Sequence, residues 1–299
     1  MATKSLPAGA AVALIALIAG ACPVSRQQTA LAGPDLLGPR TLPSARRGCP
    51  LRLPARLPVV VVPILMYHRI NVPSPSTLPM TRRLTVHPAV FARQMTWLRR
   101  HGYRAVTQRE LFDALNCGRP LRRKPIMITF DDGYRDVFFN ASPTLARLDM
   151  HATAYVLSGR TSNGDPSFLS WALLRALERQ GIEIGSHTVS HRALTSLSDG
   201  AAFEELVSSR RTLERRLGHR VRWLAYPFGA YDARIERLAR NAGYVLAVTT
   251  ESDARQSARR PLALHRLRIL DSTGVRGLAG MLAASRDHAR KCVRGSCSG

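Results

Sequence analysis

Two adjacent carboxylates, Asp131 and Asp132, and two histidines four residues apart, His187 and His191, are the residues of this sequence best suited to chemistry. Neighbouring carboxylates that follow an apolar run repel one another, and they are costly to desolvate unless a cation or a shared proton compensates them. One aspartate with two histidines makes a three-ligand set with open coordination positions. Such a set suits Zn²⁺, Fe²⁺ or a similar ion and lowers the pKa of a bound water toward neutrality. The other aspartate is then left as a general base. A histidine pair at one spacing arises readily by chance, and Asp132-Gly133 is also a common turn pair, so neither motif decides alone.

The elements that must position these residues are readable. Apolar runs of strand length at 59–66, 125–130, 152–157, 181–184, 221–226, 244–250 and 264–270 alternate with amphipathic stretches. Thr107 to Glu110 forms a capping box for a helix that Gly118 closes, and Ser142-Pro143 places a cap and a first-turn proline. Ser170 opens a helix over 171–180, a long helix from about Asp199 to Leu217 stops at Gly218, and Asp232 caps 233–242. This alternation implies a parallel α/β sheet, closed into a barrel or doubly wound. The polar clusters favour the barrel. Tyr67-His68, Asp131-Asp132-Gly133, Gly185-Ser186-His187 and Pro227-Phe228-Gly229 each fall at or just past the end of a strand-like run. Parallel strands in a barrel deliver their C-termini to one face, where the loops build the site. The expectation is a distorted (β/α) barrel of about seven parallel strands with its active site at their C-terminal ends.

The composition bounds the rest. The chain has 299 residues, 45% hydrophobic and 21% charged, which excludes a mostly disordered chain, a collagen and a multi-span membrane protein. Its 44 basic against 20 acidic residues leave a formal charge of +24. Lysine occurs only at 4, 124 and 291, so the excess is arginine, spread along the chain instead of gathered into a run. That pattern argues against a nucleic-acid partner and leaves an anionic membrane or cell-wall surface as the partner such a charge would suit. After Lys4, the apolar run 8–21 is shorter than the ~20 residues a spanning helix needs and ends in small residues before Cys22. We read 1–22 as an export signal to the periplasm or the outside, with Cys22 as a lipid attachment point in one version of that reading. Residues 23–57 form a linker, 58–285 the folded domain and 286–299 a basic tail. Export lets Cys49, Cys117, Cys292 and Cys297 oxidise; Cys292 and Cys297 are close enough to clip the tail, and Cys117, at a helix end, reads as a buried thiol.

Thr129-Phe130-Asp131-Asp132-Gly133-Tyr134 resembles the first motif of the polysaccharide deacetylases, the NodB-homology domain of carbohydrate esterase family four. Ser186-His187 through Ser190-His191 resembles the second motif, and Tyr226-Pro227-Phe228-Gly229 the third. With Pro63-Ile64-Leu65-Met66-Tyr67-His68 before them, the pattern is most like the exported deacetylases of biofilm poly-N-acetylglucosamine, over about residues 58 to 285. The resemblance implies a metal-dependent hydrolase that removes N-acetyl groups from a β-linked N-acetylglucosamine polysaccharide. It assigns Asp131 as the base toward a metal-bound water and Asp132, His187 and His191 as ligands of one divalent ion, Zn²⁺ first, with Fe²⁺, Co²⁺ or Ni²⁺ as alternatives. The backbone N–H of Phe228 would stabilise the oxyanion, and His68 would be the general acid, with His265 as its competitor. Tyr134, Pro227 and Tyr231 lie near the motifs as substrate contacts.

Two departures stand out. Where many relatives place an arginine before the third motif, this chain has Ala225, and Arg266, within 264–269, resembles an arginine that biofilm-type members use to orient the base. Asp253 lacks the tryptophan of a fourth motif. Peptidoglycan or chitin oligosaccharides remain alternative substrates, and a non-catalytic glycan-binding module on the same fold remains an alternative class. The other histidines, His87, His101, His151, His219 and His288, read as caps or surface; Phe91, Met95 and Leu98 read as core, and Trp171 and Trp223 as packing.

Overall fold

Pro63 divides the first apolar run into two elements with different partners. In the computed structural model, which describes residues 59–293 with side chains through 288, Val59–Val61 pairs antiparallel with Arg255–Ser257. Pro63 has no N–H to continue a ladder, though its carbonyl accepts the Met127 N–H at 2.9 Å. The chain resumes as β1 (Ile64–Tyr67), followed by β2 (Pro125–Phe130), β3 (Ala152–Val156), β4 (Ile182–Ser186), β5 (Trp223–Ala225), β6 (Leu246–Val248) and β7 (Leu267–Arg268). These seven lie in the order β6-β5-β4-β3-β2-β1-β7, and every pairing along that order is parallel. The strands are buried on both faces, as a parallel sheet covered by helices requires.

Residues 264–266 bring the two edges of this curled sheet together. Leu264 bridges Val248 in parallel, the Thr249 N–H donates to the Leu264 carbonyl at 2.8 Å, and the Arg266 N–H donates to the Glu251 carbonyl at 2.8 Å. The architecture is therefore the distorted (β/α) barrel expected from the sequence. The run expected at 264–270 contributes a strand of only two residues, because its first half makes this closure instead of a full ladder.

Helices α1 (Pro88–Arg100), α2 (Gln108–Cys117), α3 (Trp171–Arg179), α4 (Asp199–Leu217), α5 (Ala233–Asn241) and α6 (Val275–Val293) cover the barrel. Thr107 and Glu110 close a reciprocal capping box at α2, and Gly118 ends it in the left-handed conformation that lacks a Cβ penalty. Ser170 and Asp232 cap as expected, while α4 is capped by Ser198. Ser142 is no cap. Its hydroxyl donates back to the Phe138 carbonyl at 2.7 Å within a π-helical turn, Val137–Ala141, that runs unbroken into the helix Ser142–Arg147. Phe91, Met95 and Leu98 are core residues, and His87 caps α1 by accepting the Ala89 N–H. The expected signal, the linker, Cys22, Cys49 and Cys297 lie outside the described residues, and the domain end expected at 285 falls inside α6. Cys117 is a correction: it is half-buried and disulfide-bonded, not a buried free thiol.

The barrel interior holds Glu183 of β4, which accepts the Gln108 N–H at 2.6 Å. Burial pushes its carboxyl up to about 7, against the pull of the Gln108 and Arg109 N–H groups. A folded pKa above the unfolded value means that the folded state holds the proton more tightly. The resulting stability is complete below about pH 4.5 and is lost as pH rises through about 7. The loss between pH 5 and 8 is about 2 to 3 kcal/mol, and Glu183→Gln is expected to remove that part of the slope. Urea unfolding at the two pH values checks this; an equal slope in both proteins contradicts it.

Candidate active site

The end of β2 fixes the first two candidates. The Asp131 N–H donates to the Tyr67 carbonyl at 2.9 Å, so His68 and Asp131 leave adjacent strands side by side. Asp132 then takes a left-handed conformation, φ 70°, and Gly133 follows at φ 77°. A Cβ on Gly133 would sit 3.0 Å from the Val156 side chain, so glycine is required for this close turn.

His187, at the end of β4, is buried, and its Nδ1 lies 2.7 Å from the Ala225 carbonyl. That bond places the ring proton on Nδ1 and leaves the Nε2 lone pair facing Asp132. The Asp132 Oδ1 atom is 3.4 Å from His187 Nε2 and 3.5 Å from His191 Nε2, and one donor atom from each of the three residues falls within 4.8 Å of the others. A carboxylate and two imidazoles converging in this way fit one divalent ion with positions left open. Ala225, which interrupts the expected arginine, supplies through its backbone the partner that orients a ligand.

Holding His191 in place needs an unusual loop. Thr188 at φ 72° and His191 at φ 65° are left-handed without being glycine, a conformation that surrounding bonds must enforce. Those bonds come from α4. Ser209 donates to the Thr188 carbonyl at 3.0 Å, and Glu205 accepts the N–H groups of Val189 and Ser190, both at 3.0 Å. Sequence reasoning missed both residues; the available signal was a pair of polar residues four apart on a helix face otherwise lined by Ala202, Leu206 and Leu213. Glu205→Ala is expected to weaken zinc affinity about 10- to 100-fold with the fold retained. Competition with a chromogenic chelator measures it, and an unchanged affinity contradicts the assignment.

Asp131 and Arg266 form a buried pair. Arg266 is wholly inaccessible and Asp131 is 3% exposed. The two terminal nitrogens of the guanidinium each reach one carboxylate oxygen at 2.7 Å. The guanidinium Nε donates to the Thr249 carbonyl at 2.8 Å and Nη1 also reaches the Thr129 hydroxyl at 3.2 Å. Burial alone would push the Asp131 carboxyl up, but the Arg266 charge and its hydrogen bonds hold it well below the usual carboxylate range. Asp131 is therefore ionised at neutral pH, beside the three-donor cluster.

The two candidate acids separate. Burial draws the His68 imidazole below its usual pKa, and the charges acting on it are those of Asp131, Asp132, Arg266 and His187; its Nδ1 atom is buried without a protein partner. His265 instead faces Glu251 at 3.2 Å and Asp253 at 3.9 Å. The third motif places Phe228 at φ 59°, 63% exposed, with its ring 4.5 Å from the His191 ring. The following N–H groups of Gly229 and Ala230 are taken by the Tyr226 and Pro227 carbonyls, while that of Phe228 makes no hydrogen bond among the described residues. Pro227 is buried and shapes this turn. Tyr134 stacks on Phe168 at 5.0 Å and carries the Arg69 guanidinium on its ring. Tyr231 is drawn toward Glu251, to which its hydroxyl donates at 3.0 Å, and accepts from Arg260.

Comparison with known proteins places the chain in a family. A family profile described as polysaccharide deacetylase matches residues 118–247. The chain is 31% identical over 218 residues to YxkH of Bacillus subtilis (strain 168), named as a polysaccharide deacetylase, covering 73% of this chain and 74% of that one. It is 26% identical over 216 residues to a poly-β-1,6-N-acetyl-D-glucosamine N-deacetylase of Staphylococcus epidermidis, covering 63% of this chain and 74% of that one. Among solved structures it resembles the Streptococcus pyogenes deacetylase PplD in complex with acetate, with a TM-score of 0.69, 30% identity, and coverage of 74% of this chain and 98% of that one. The fold and a relative matched over most of its length thus converge, and the chain belongs to the polysaccharide deacetylases.

Proposed function

We propose that the chain is an exported, metal-dependent N-deacetylase of a β-linked N-acetylglucosamine polymer, with poly-β-1,6-N-acetylglucosamine as its substrate. The observation that carries this reading is a buried Asp131 gripped by Arg266 next to three converging metal-type donors. The Staphylococcus epidermidis relative, by its name, supports the sugar and linkage.

Asp132, His187 and His191 would hold the ion, Zn²⁺ first among first-row candidates. When bound, it supplies Lewis acidity, which lowers the pKa of water and polarises a carbonyl. Asp131 accepts the proton that the attacking water gives up, and Arg266 keeps it ionised and aimed. As the new C–O bond forms, the Phe228 N–H donates to the carbonyl oxygen, where charge develops. His68 delivers a proton to the nitrogen as the C–N bond breaks, leaving acetate and a free amine. The exposed Phe228 ring offers a face for a pyranose, while Tyr134, whose ring is taken by Phe168 and Arg69, meets substrate through its hydroxyl edge. Tyr231 acts more remotely, through Glu251. The arginine-rich exterior suits attachment to an anionic membrane or wall surface.

Arg266 fills the role that Ala225 leaves vacant, which favours catalysis over a binding module. Acetate release from β-1,6 and β-1,4 N-acetylglucosamine oligomers and from peptidoglycan fragments tests the substrate. Fastest release from the β-1,6 oligomers is expected; faster release from either of the others transfers the assignment to that polymer.

A further inference from the structure

Beneath the Asp131–Arg266 pair, a few polar groups are set into the apolar packing of Ile64, Met127, Leu246 and Val248. In the layer nearer the C-terminal strand ends, Tyr155 of β3 stands opposite Gly185 of β4. A Cβ on Gly185 would lie 2.5 Å from Cδ1 and 2.6 Å from Cε1 of the Tyr155 ring, so glycine alone lets the ring lie across the neighbouring strand. In the next layer Thr153 stands opposite Glu183, two residues earlier on the same strands and hence on the same face. Gln108, the first residue of α2, joins the layers: its side-chain amide donates to the Tyr155 hydroxyl and its backbone N–H to Glu183. The Tyr155 hydroxyl is thus anchored to a helix start that a buried carboxylate holds. The ring carries the Arg266 guanidinium, with Cζ 5.9 Å from its centroid, inside the range of cation–π attraction. The remaining Arg266 contacts run through its nitrogens to Thr249, Thr129 and Asp131.

We propose that Tyr155 is a positioning residue for the deacetylation: its ring, laid across the neighbouring strand at Gly185, seats the Arg266 guanidinium and so fixes the orientation of the Asp131 carboxylate. The proposal rests on the reading of Asp131 as the base. Because Tyr155 is fully buried, it contacts no substrate. Its loss misaligns the base without removing binding surface, and so lowers kcat and spares KM.

Tyr155→Leu removes the ring, and Tyr155→Phe keeps the ring and removes only the hydroxyl. With the best oligomer of the substrate panel, Tyr155→Leu is expected to lower kcat about 10- to 100-fold with KM within about twofold, and Tyr155→Phe to stay within about threefold of wild type. Both should bind one metal per chain. In urea unfolding of the metal-free proteins, Tyr155→Leu and Arg266→Met should be non-additive by at least about threefold in the unfolding constant. If Tyr155→Leu does not fold, Tyr155→Met replaces it. A Leu or Met variant with unchanged kcat, a KM effect alone, or a Phe variant as impaired as the Leu variant overturns the proposal. If Arg266→Met and Asp131→Asn themselves stay active, the reading of the base fails instead.

Discussion

Asp131→Asn is expected to lower kcat/KM for acetate release about 10³- to 10⁴-fold, the upper range for loss of a positioned general base, while zinc stoichiometry stays at one per chain. Asparagine has nearly the same shape and keeps an oxygen toward Arg266, but it cannot take a proton from water. The substitution also leaves a buried guanidinium without its counter-charge, so stability should fall by about 3 kcal/mol. Zinc content distinguishes the two effects. Asp132, His187 and His191 are the candidate metal ligands, and Asp131 stands beside them, paired to Arg266. A variant that is folded, zinc-loaded and inactive identifies Asp131 as the base. One that retains a tenth of wild-type activity removes it from that role.

Arg266→Met should have the second large effect. It strands the Asp131 carboxylate in a site where burial favours its neutral form, so a destabilisation of about 3–5 kcal/mol is expected. The base is lost as well, because protonating Asp131 is the least costly relief, and kcat/KM should fall at least about 100-fold. Combining Arg266→Met with Asp131→Asn removes both charges. The double variant should recover most of the stability and none of the activity, a pattern that a simple packing role for Arg266 does not produce. Urea unfolding of the four proteins measures the coupling; additive losses contradict a paired role.

What could be read from the sequence was what is local. Thr107, Ser170 and Asp232 act on N–H groups three residues away, and their helices begin where the sequence indicates. The alternation of strands and helices, with polar clusters at strand ends, sufficed for the barrel and for the positions of Asp131, Asp132 and His187. What escaped depends on contacts between distant segments. Arg266 meets Asp131 across 135 positions in sequence, and only a resemblance pointed to it. Glu205 and Ser209 look like ordinary polar positions until the fold sets them against the His187–His191 loop. Tyr231 follows the third motif closely, yet Glu251 and Arg260, each brought in by a different loop, determine where its hydroxyl goes. Ser142 precedes a proline as a cap would, but the continuous turn from Val137 leaves no N-terminus there for it to cap.

The central claim is that Asp131 works beside one metal ion held by Asp132, His187 and His191. Its most direct test is acetate release from β-1,6 N-acetylglucosamine oligomers by metal-stripped enzyme titrated with zinc, for wild type and Asp131→Asn. The account predicts no release without metal, a rise to a plateau at one equivalent for the wild type, and one equivalent bound without release for the variant. Full release by the stripped enzyme, or a plateau of equal height in the variant, would contradict it.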